Sequence, residues 1–121
     1  MSKQRLGKKA ADYSCSVEAT LDVIGGKWKG VVLYHLLDGT KRFGELQRRI
    51  PNVTRRMLTL SLRELEEASI VHREVYKQVP PKVEYSLTDY GRSLQPIISG
   101  LRAWGDEHLK RLEQQELSQI R

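Results

Sequence analysis

One stretch of this chain concentrates side chains that suit a polyanion. Residues 41–63 carry seven Lys and Arg residues against one Glu, so the segment holds a net charge of +6, equal to that of all 121 residues. An arginine-rich segment suits contacts with phosphates, but an ordinary solvated face is equally compatible with charge alone. The predicted helices and strands that position these charges are needed to choose between the two interpretations. The cations are Lys41, Arg42, Arg48, Arg49, Arg55, Arg56 and Arg63.

Cys15 is the second residue that suggests chemistry, and it is the only cysteine of the chain. It precedes the first predicted helix, where the positive end of the helix dipole favours a thiolate, and Lys8 and Lys9 lie nearby in sequence. A single thiol cannot form a disulfide within the chain. A bridge to a second copy or an adduct with a small oxidant or electrophile is therefore its available chemistry. A packed cysteine without chemistry is the alternative.

Other chemistries lack their residue patterns. The three histidines, His35, His72 and His108, are far apart in sequence and lack metal-ligand spacing. No glycine-rich phosphate loop or nucleophile signature is present. A thiol enzyme built on Cys15 is disfavoured because no histidine or acid is placed to serve it. We therefore predict no enzyme activity, no metal and no cofactor.

Composition restricts the class of protein. With 39% hydrophobic and 30% charged residues, the chain fits one compact domain. No apolar run is long enough to cross a bilayer, the N-terminus lacks the apolar stretch of a signal peptide, and one cysteine excludes a disulfide-stapled secreted fold. We expect a cytoplasmic protein with no membrane partner. Its expected parts are a flexible basic arm at 1–13, a single domain at 14–112 and a C-terminal tail at 113–121.

Hydrophobic periodicity predicts a mainly α fold with a small β-hairpin. Helical spacing changes to strict alternation after Ser69 and returns after Thr88. The predicted elements, in order, are helices over about 14–24 and 27–37, a short extended piece at 40–43, helices over 44–49 and 54–68, strands over 71–76 and 83–87, and a final helix from Asp89 past Lys110. A short helix, a turn at Pro51–Val53 and a longer helix make a helix-turn-helix, and the hairpin that follows makes a wing.

The helix that begins after Thr54 has two unlike faces. At 100° per residue, its core stripe consists of Leu58, Leu62 and Leu65. The opposite face lacks acids in its N-terminal half, which suits insertion into the major groove, where arginine reads guanine and leucine meets the thymine methyl group. Plain solubilising arginines are the alternative. The predicted recognition residues are Thr54, Arg55, Arg56, Thr59, Leu60 and Arg63.

The elements on either side of this helix predict contacts with the DNA backbone. The preceding helix of a helix-turn-helix crosses the phosphates, and we assign it Arg42, Arg48 and Arg49. A basic hairpin tip suits the minor groove or a flanking phosphate, and here it carries Lys77, Gln78 and Lys82. A purely structural hairpin is the alternative.

The first and last helices carry more apolar residues than one small domain needs. We predict that they form a two-fold homodimer interface. A two-fold dimer presents two recognition helices, so its operator is expected to be a pseudo-palindrome with half-sites a helical turn, or a multiple of it, apart. Ordinary core packing is the alternative for some of these side chains. The predicted interface residues are Val17, Leu21, Ile24, Ile98, Leu101, Trp104 and His108.

Eight segments of the chain form a pattern in their order and spacing: 23–29, 39–47, 57–59, 62–66, 71–76, 79–88, 91–94 and 104–105. Together they resemble the HxlR-type family of winged helix-turn-helix transcriptional regulators, which are similar to MarR regulators. The resemblance implies a homodimer that binds operator DNA as a repressor or activator, with the helix from Thr54 to Ala68 in the major groove. It also implies sensing of oxidants, quinones or aldehydes at the position of Cys15, as in some members. The family more often has polar residues where this chain has Leu60-Ser61.

The sequence therefore predicts a sequence-specific regulator of transcription. Its expected partners are double-stranded operator DNA and a second copy of the chain, with a small electrophile or oxidant as the candidate effector through Cys15. A sequence-independent nucleic-acid-binding protein, architectural or RNA-directed, is the alternative. Such a protein shares the basic surface and the salt dependence of binding, so salt does not distinguish the two.

Overall fold

The structure, a computed structural model, describes residues 8–120. The cations Lys3 and Arg5 of the predicted basic arm, and position 121, lie outside the described residues. After a short 3₁₀ helix, the elements follow the predicted order. They are the 3₁₀ helix Ala10–Asp12, α1 (Ser16–Ile24), α2 (Lys29–Leu36), β1 (Lys41–Arg42), α3 (Phe43–Arg49), α4 (Arg55–Glu67), β2 (Val71–Tyr76), β3 (Lys82–Leu87), α5 (Asp89–Arg92) and α6 (Gln95–Ile120).

Two glycines separate α1 from α2, as the sequence predicts. A side chain at Gly25 would meet the Leu21 carbonyl oxygen. Gly26 has a φ of 73°, in the left-handed region that glycine adopts without steric cost. The chain therefore reverses between the two helices within a few residues.

The wing is part of a three-stranded antiparallel sheet with the order β1-β3-β2. In the hairpin, Val71 lies opposite Leu87, and Tyr76 lies opposite Lys82. β1 adds only two residues to the outer edge of β3. This short strand places the start of α3 directly beside the middle of β3.

One hydrophobic core lies between α2, α4 and the base of the sheet. The predicted stripe of Leu58, Leu62 and Leu65 is buried there, which confirms the orientation of α4. Full burial of each such side chain contributes about 1.5–3 kcal/mol. The same core includes Ile24 of α1 and Ile98 of α6.

The two ends of the chain differ from the prediction. The expected flexible arm reaches residue 13, but Tyr13 donates a 2.6 Å hydrogen bond from its hydroxyl to Asp22, which attaches this segment to α1. The expected final helix is two helices, because the chain turns at Ser93–Leu94 before α6 begins. Pro96 lies in the first turn of α6, where its missing N–H costs no helical bond.

The predicted tail at 113–121 is helical as far as the structure describes it. α6 contains 26 residues, so at 1.5 Å per residue it is about 39 Å long. The helix α6 is long, but its polar residues leave it without the apolar character of a membrane span. Within residues 8–120, none of the helices combines the length and apolar character needed to cross a bilayer.

Candidate nucleic-acid interface

A side-chain cap starts the candidate recognition helix. Thr54 has an extended backbone, and its hydroxyl oxygen accepts a 3.1 Å hydrogen bond from the N–H of Met57. This satisfies one of the amide groups that every helix leaves unpaired at its N-terminus. α4 ends at Glu67, and Ser69, two residues later, takes a φ of 64°. The cap thus sets both the start of α4 and the direction in which its first turn points.

The predicted recognition residues of α4 are exposed, from the first turn of the helix to its third. Arg55, Arg56, Thr59, Leu60 and Arg63 are all exposed to solvent. Among the ion pairs of residues 8–120, none uses Arg56 or Arg63. These two guanidinium groups therefore have their donors available for a ligand.

The acids of α4 lie beyond the first two turns of this face, and Glu67 shares the face with Arg63. They occupy only the second half of the helix, and Glu64 is 3.6 Å from Lys29 Nζ of α2. That ion pair turns one carboxylate toward the body of the protein. The first two turns of α4 therefore present positive charge without a neighbouring negative charge.

Arg55 differs from the other arginines of α4. Its guanidinium carbon lies 4.9 Å above the centre of the Phe43 ring, a cation–π contact between the starts of α4 and α3. Its carbonyl oxygen accepts a 2.8 Å hydrogen bond from the Thr59 hydroxyl. Phe43 was not among the predicted site residues. An aromatic residue at the start of the first helix of a helix-turn-helix was the only signal available.

The predicted backbone contacts of α3 are exposed, but one is already paired. Arg42, Arg48 and Arg49 are exposed, and Arg49 Nη1 lies 3.4 Å from Asp38 Oδ2. The backbone N–H of Arg42 donates a 2.9 Å hydrogen bond to Glu45 Oε1, which holds the start of α3. Arg42 and Arg48 make no ion pair among residues 8–120.

Lys41 is the exception among the seven cations of residues 41–63. Only 6% of it is exposed, so it is not part of the surface that its position in the sequence suggested. Its ammonium group donates to Asp38 Oδ1 at 2.7 Å and to the Gly39 carbonyl at 3.1 Å. This hydrogen bond from Lys41 holds the pKa of Asp38 below its ordinary value, with the charges of Lys41 and Arg49 adding to the effect.

The wing presents two of its three predicted residues freely. Lys77 and Gln78 lie in the exposed turn between β2 and β3. Lys82 instead lies over the Tyr76 ring, 5.0 Å from its centre, and 3.4 Å from Glu84. A hydrogen bond to Glu84, and the charge of that residue, raise the pKa of Tyr76. Lys82 is therefore tied to the strands, and the tip of the wing is the part open to a ligand.

The predicted dimer residues divide into two groups. Val17, Leu21, Leu101 and Trp104 are exposed, the last by 70%. His108 stacks on Trp104, with ring centres 5.0 Å apart. The prediction is wrong for two others, because the core of the same chain covers Ile24 and Ile98. Both belong to helices that pack on α2, and they are not available to a second copy.

The sequence signature of the HxlR-like helix-turn-helix family matches residues 23–113. The chain belongs to this family. It is 55% identical over 122 residues to YdeP of Bacillus subtilis (strain 168), an uncharacterized HTH-type transcriptional regulator, with 96% of this chain and 93% of YdeP covered. Among solved structures, the redox regulator HypR in its oxidized form shares 64% identity and a TM-score of 0.75, over 77% of this chain and 96% of that one. The reduced form of YodB from B. subtilis shares 38% identity and a TM-score of 0.67, over 78% and 94%.

Family membership confirms the coarse predictions. HxlR-like proteins are helix-turn-helix regulators of transcription, a class of proteins that are not enzymes. This chain is accordingly a winged helix-turn-helix transcriptional regulator. The homodimer, the operator and the DNA contacts of single residues remain predictions. Within residues 8–120, no group of three or more acidic, histidine or cysteine side chains is arranged to hold a metal ion.

Cys15 of this HxlR-like chain is an exposed free thiol directly before α1. The neighbouring Ser14 donates hydrogen bonds from its N–H and hydroxyl to Glu18 at 2.6 and 3.0 Å, and these bonds lower the pKa of Glu18. Lys8, expected to act on the thiol, instead lies 3.8 Å from Asp22. The thiol is thus reachable from solvent, and the Glu18 carboxylate and the Lys8 ammonium make their contacts with other groups.

Proposed function

We propose that this regulator acts as a homodimer that inserts α4 of each chain into the major groove of a pseudo-palindromic operator. The observation that carries the proposal is the pair Arg56 and Arg63 on the side of α4 opposite the buried leucines. Both are exposed, and neither forms an ion pair with another residue in the range 8–120. Binding an operator requires the protein to work in the cytoplasm, beside the DNA. In the bound state, one face of the protein contacts double-stranded DNA and another face contacts a second copy of the chain.

The exposed cations divide between base reading and positioning. Arg56 and Arg63 reach the edges of guanines, where a guanidinium binds O6 and N7 together. Arg55, which lies against Phe43, contacts a phosphate beside the groove. The remaining contacts go to the backbone and carry no direct sequence information. They are assigned to Arg42, directly before α3, to Arg48 and Arg49 of α3, and to Lys77 and Gln78 at the tip of the wing.

The distal part of α6 supports the homodimer. From Leu101 onward nearly all of its side chains are exposed, although an isolated helix is only marginally stable in water. Leu101, Trp104 and Leu112 lie within one broad stripe of this part of α6, and α1 adds Val17 and Leu21. A second copy related by a two-fold axis covers both sets and gives α6 the partner that its own chain does not provide.

Selection of bound sequences from random duplex DNA tests the proposed function. We expect enrichment of an inverted repeat whose half-sites are about one helical turn, or a multiple of it, apart. The alternative, a sequence-independent nucleic-acid binder, predicts no enrichment and equal competition by random duplex or by RNA. Enrichment of a single, unrepeated site would contradict the two-fold arrangement while keeping the regulator class.

We also propose that Cys15 couples oxidants to DNA binding, because the chain is similar over 77% of its length to HypR, a redox regulator. Hydrogen peroxide takes the hydrogens of two Cys15 thiols, one from each protomer. A disulfide forms between their Sγ atoms, and the peroxide is reduced to two water molecules. A quinone instead forms a C–S bond with Sγ and takes up the thiol proton. Either product lies at the start of α1, beside the proposed dimer face.

Treatment with hydrogen peroxide or a quinone tests the role of Cys15. We expect the wild-type protein to change its operator affinity and to yield a two-chain product that dithiothreitol reverses, or an adduct visible by mass spectrometry. Cys15→Ser is expected to bind the operator as the wild type does and not to respond. An unchanged response of Cys15→Ser would show that the thiol is not the sensor.

A further inference from the structure

Leu60 is an apolar side chain placed among cations on the outer face of α4. It is 43% exposed, whereas Leu58 and Leu62 are almost fully buried. On the helix surface its neighbours are Arg56 and Met57, four and three residues earlier, and Arg63 and Glu64, three and four residues later. The Glu64 carboxylate is 3.6 Å from the Lys29 ammonium, which leaves the two arginines as the unpaired charges beside Leu60 among residues 8–120. Leu60 therefore adds little to the core, and its burial requires a surface that comes from outside the chain.

The major groove offers one apolar group, the C5 methyl of thymine. Against any other base edge, leucine would remove water from hydrogen-bonding groups without replacing the lost bonds. We propose that Leu60 selects a thymine in each operator half-site, next to the bases contacted by Arg56 and Arg63. This inference rests on the proposed function, because it requires α4 in the major groove.

The neighbours of Leu60 leave few other groups on α4 to read a base. The hydroxyl hydrogen of Thr59 is donated to the Arg55 carbonyl oxygen at 2.8 Å, so it is not available to a base acceptor. Ser61 is buried. The exposed Met57 lies about 60° further around the helix, away from the arginines. Leu60 is thus the apolar reader of this face, and arginines supply its donors.

Removal of single methyl groups from the selected operator tests the inference. Each thymine is replaced in turn by deoxyuridine, which keeps the Watson–Crick pair and lacks only the methyl. We expect one thymine per half-site whose replacement raises Kd about fourfold, as the burial of one methyl group predicts. Leu60→Ala is expected to bind the thymine and uracil operators equally. Met57→Ala, the matched exposed apolar residue, is expected to keep the discrimination of the wild type.

A second substitution tests the same contact in the opposite direction. At the sensitive position, cytosine is expected to weaken binding and 5-methylcytosine to restore part of it for the wild type but not for Leu60→Ala. The inference is overturned if no uracil replacement changes wild-type binding, or if Leu60→Ala still distinguishes the thymine from the uracil operator. In either case an enriched operator would leave the proposed function standing. A protein that enriches no sequence contradicts both. Thermal unfolding confirms that Leu60→Ala is folded.

Discussion

At the scale of single residues, Lys41 and Asp38 show how one cation of a basic segment is removed from the surface. The Lys41 ammonium is almost fully buried, and the Asp38 carboxylate is its nearest acceptor at 2.7 Å. A buried charge without a partner is strongly unfavourable, so the local structure depends on this pair. Arg49 also approaches Asp38, but from the solvent side.

The Asp38–Lys41 pair predicts a pH-dependent contribution to stability. The pKa of Asp38 is lowered in the folded state, so the pair stabilises the protein above the ordinary value of 3.8, and this contribution disappears as the pH falls through the folded pKa. We expect Asp38→Asn to lower Tm at pH 7 by more than it does below pH 3.8, where the contribution of the pair is being lost. Thermal unfolding followed by circular dichroism measures both gaps. Arg49→Ala is the control, with little change in Tm because that pair is exposed.

The sequence predicted the faces of single residues better than their partners. Periodicity alone placed Arg56 and Arg63 opposite Leu58 and Leu62, because both sets lie on one helix and its geometry fixes their angles. It did not place Lys41 in the interior, since that depends on the pairing of β1 with a strand more than forty residues later. The contact between Phe43 and Arg55 was missed for a related reason. It joins two separate helices, and periodicity describes each helix only by itself.

At the scale of elements, Thr88 and Gly91 join the end of the wing to the end of α4. The Thr88 hydroxyl donates to the Ser69 carbonyl at 2.7 Å and accepts from the N–H of Gly91 at 2.9 Å. Gly91 is buried, and a side chain there would meet the Ile70 carbonyl. α5 can therefore pack against Ile70, in the link between α4 and β2, only because residue 91 is glycine.

A matched pair of glycine substitutions tests this packing. We expect Gly91→Ala to destabilise the fold by about 1–3 kcal/mol, the usual cost of extra atoms in a filled space. Gly100→Ala changes a helical glycine with open space around it and is expected to stabilise by up to about 1 kcal/mol through helix propensity. Urea unfolding gives both free energies. Equal effects of the two substitutions would contradict the close contact at Gly91.

Where the elements begin and end could be predicted from local chemistry, but the length of the final helix could not. The caps Thr54 and Thr88 and the stop at Gly25 were readable because each acts on its own neighbours. The helix over 113–120 was not predicted. A distal helix with weak periodicity is not distinguishable from a polar tail without knowledge of what covers it.

At the scale of the whole molecule, the proposed homodimer sets the distance between two reading helices. Exposed apolar residues on α1 and α6 lie on the parts of the chain outside the helix-turn-helix and wing. A monomer would hold a single half-site, so affinity for a palindrome depends on association of two chains. Dimerisation and operator binding are therefore expected to fail together.

A charge placed in the proposed interface tests this dependence. We expect Leu101→Glu to halve the mass measured by sedimentation equilibrium and to weaken binding to the full palindrome at least tenfold, because two desolvated carboxylates oppose association. Leu117→Glu, at a residue that is also exposed but lies off the stripe, is the matched control and is expected to stay dimeric. If Leu101→Glu keeps the wild-type mass, α6 pairs through another face or not at all.

The most direct test of the central claim, that α4 reads bases, is the ratio of affinities for operator and random duplex. Fluorescence anisotropy gives this ratio for the wild type, Arg56→Ala, Arg63→Ala and the control Arg92→Ala, which removes the same charge from α5. We predict that Arg56→Ala and Arg63→Ala each weaken operator binding by about 5- to 150-fold and relax base preference at one position, while Arg92→Ala keeps the wild-type ratio. Wild-type ratios for both α4 variants would contradict the account.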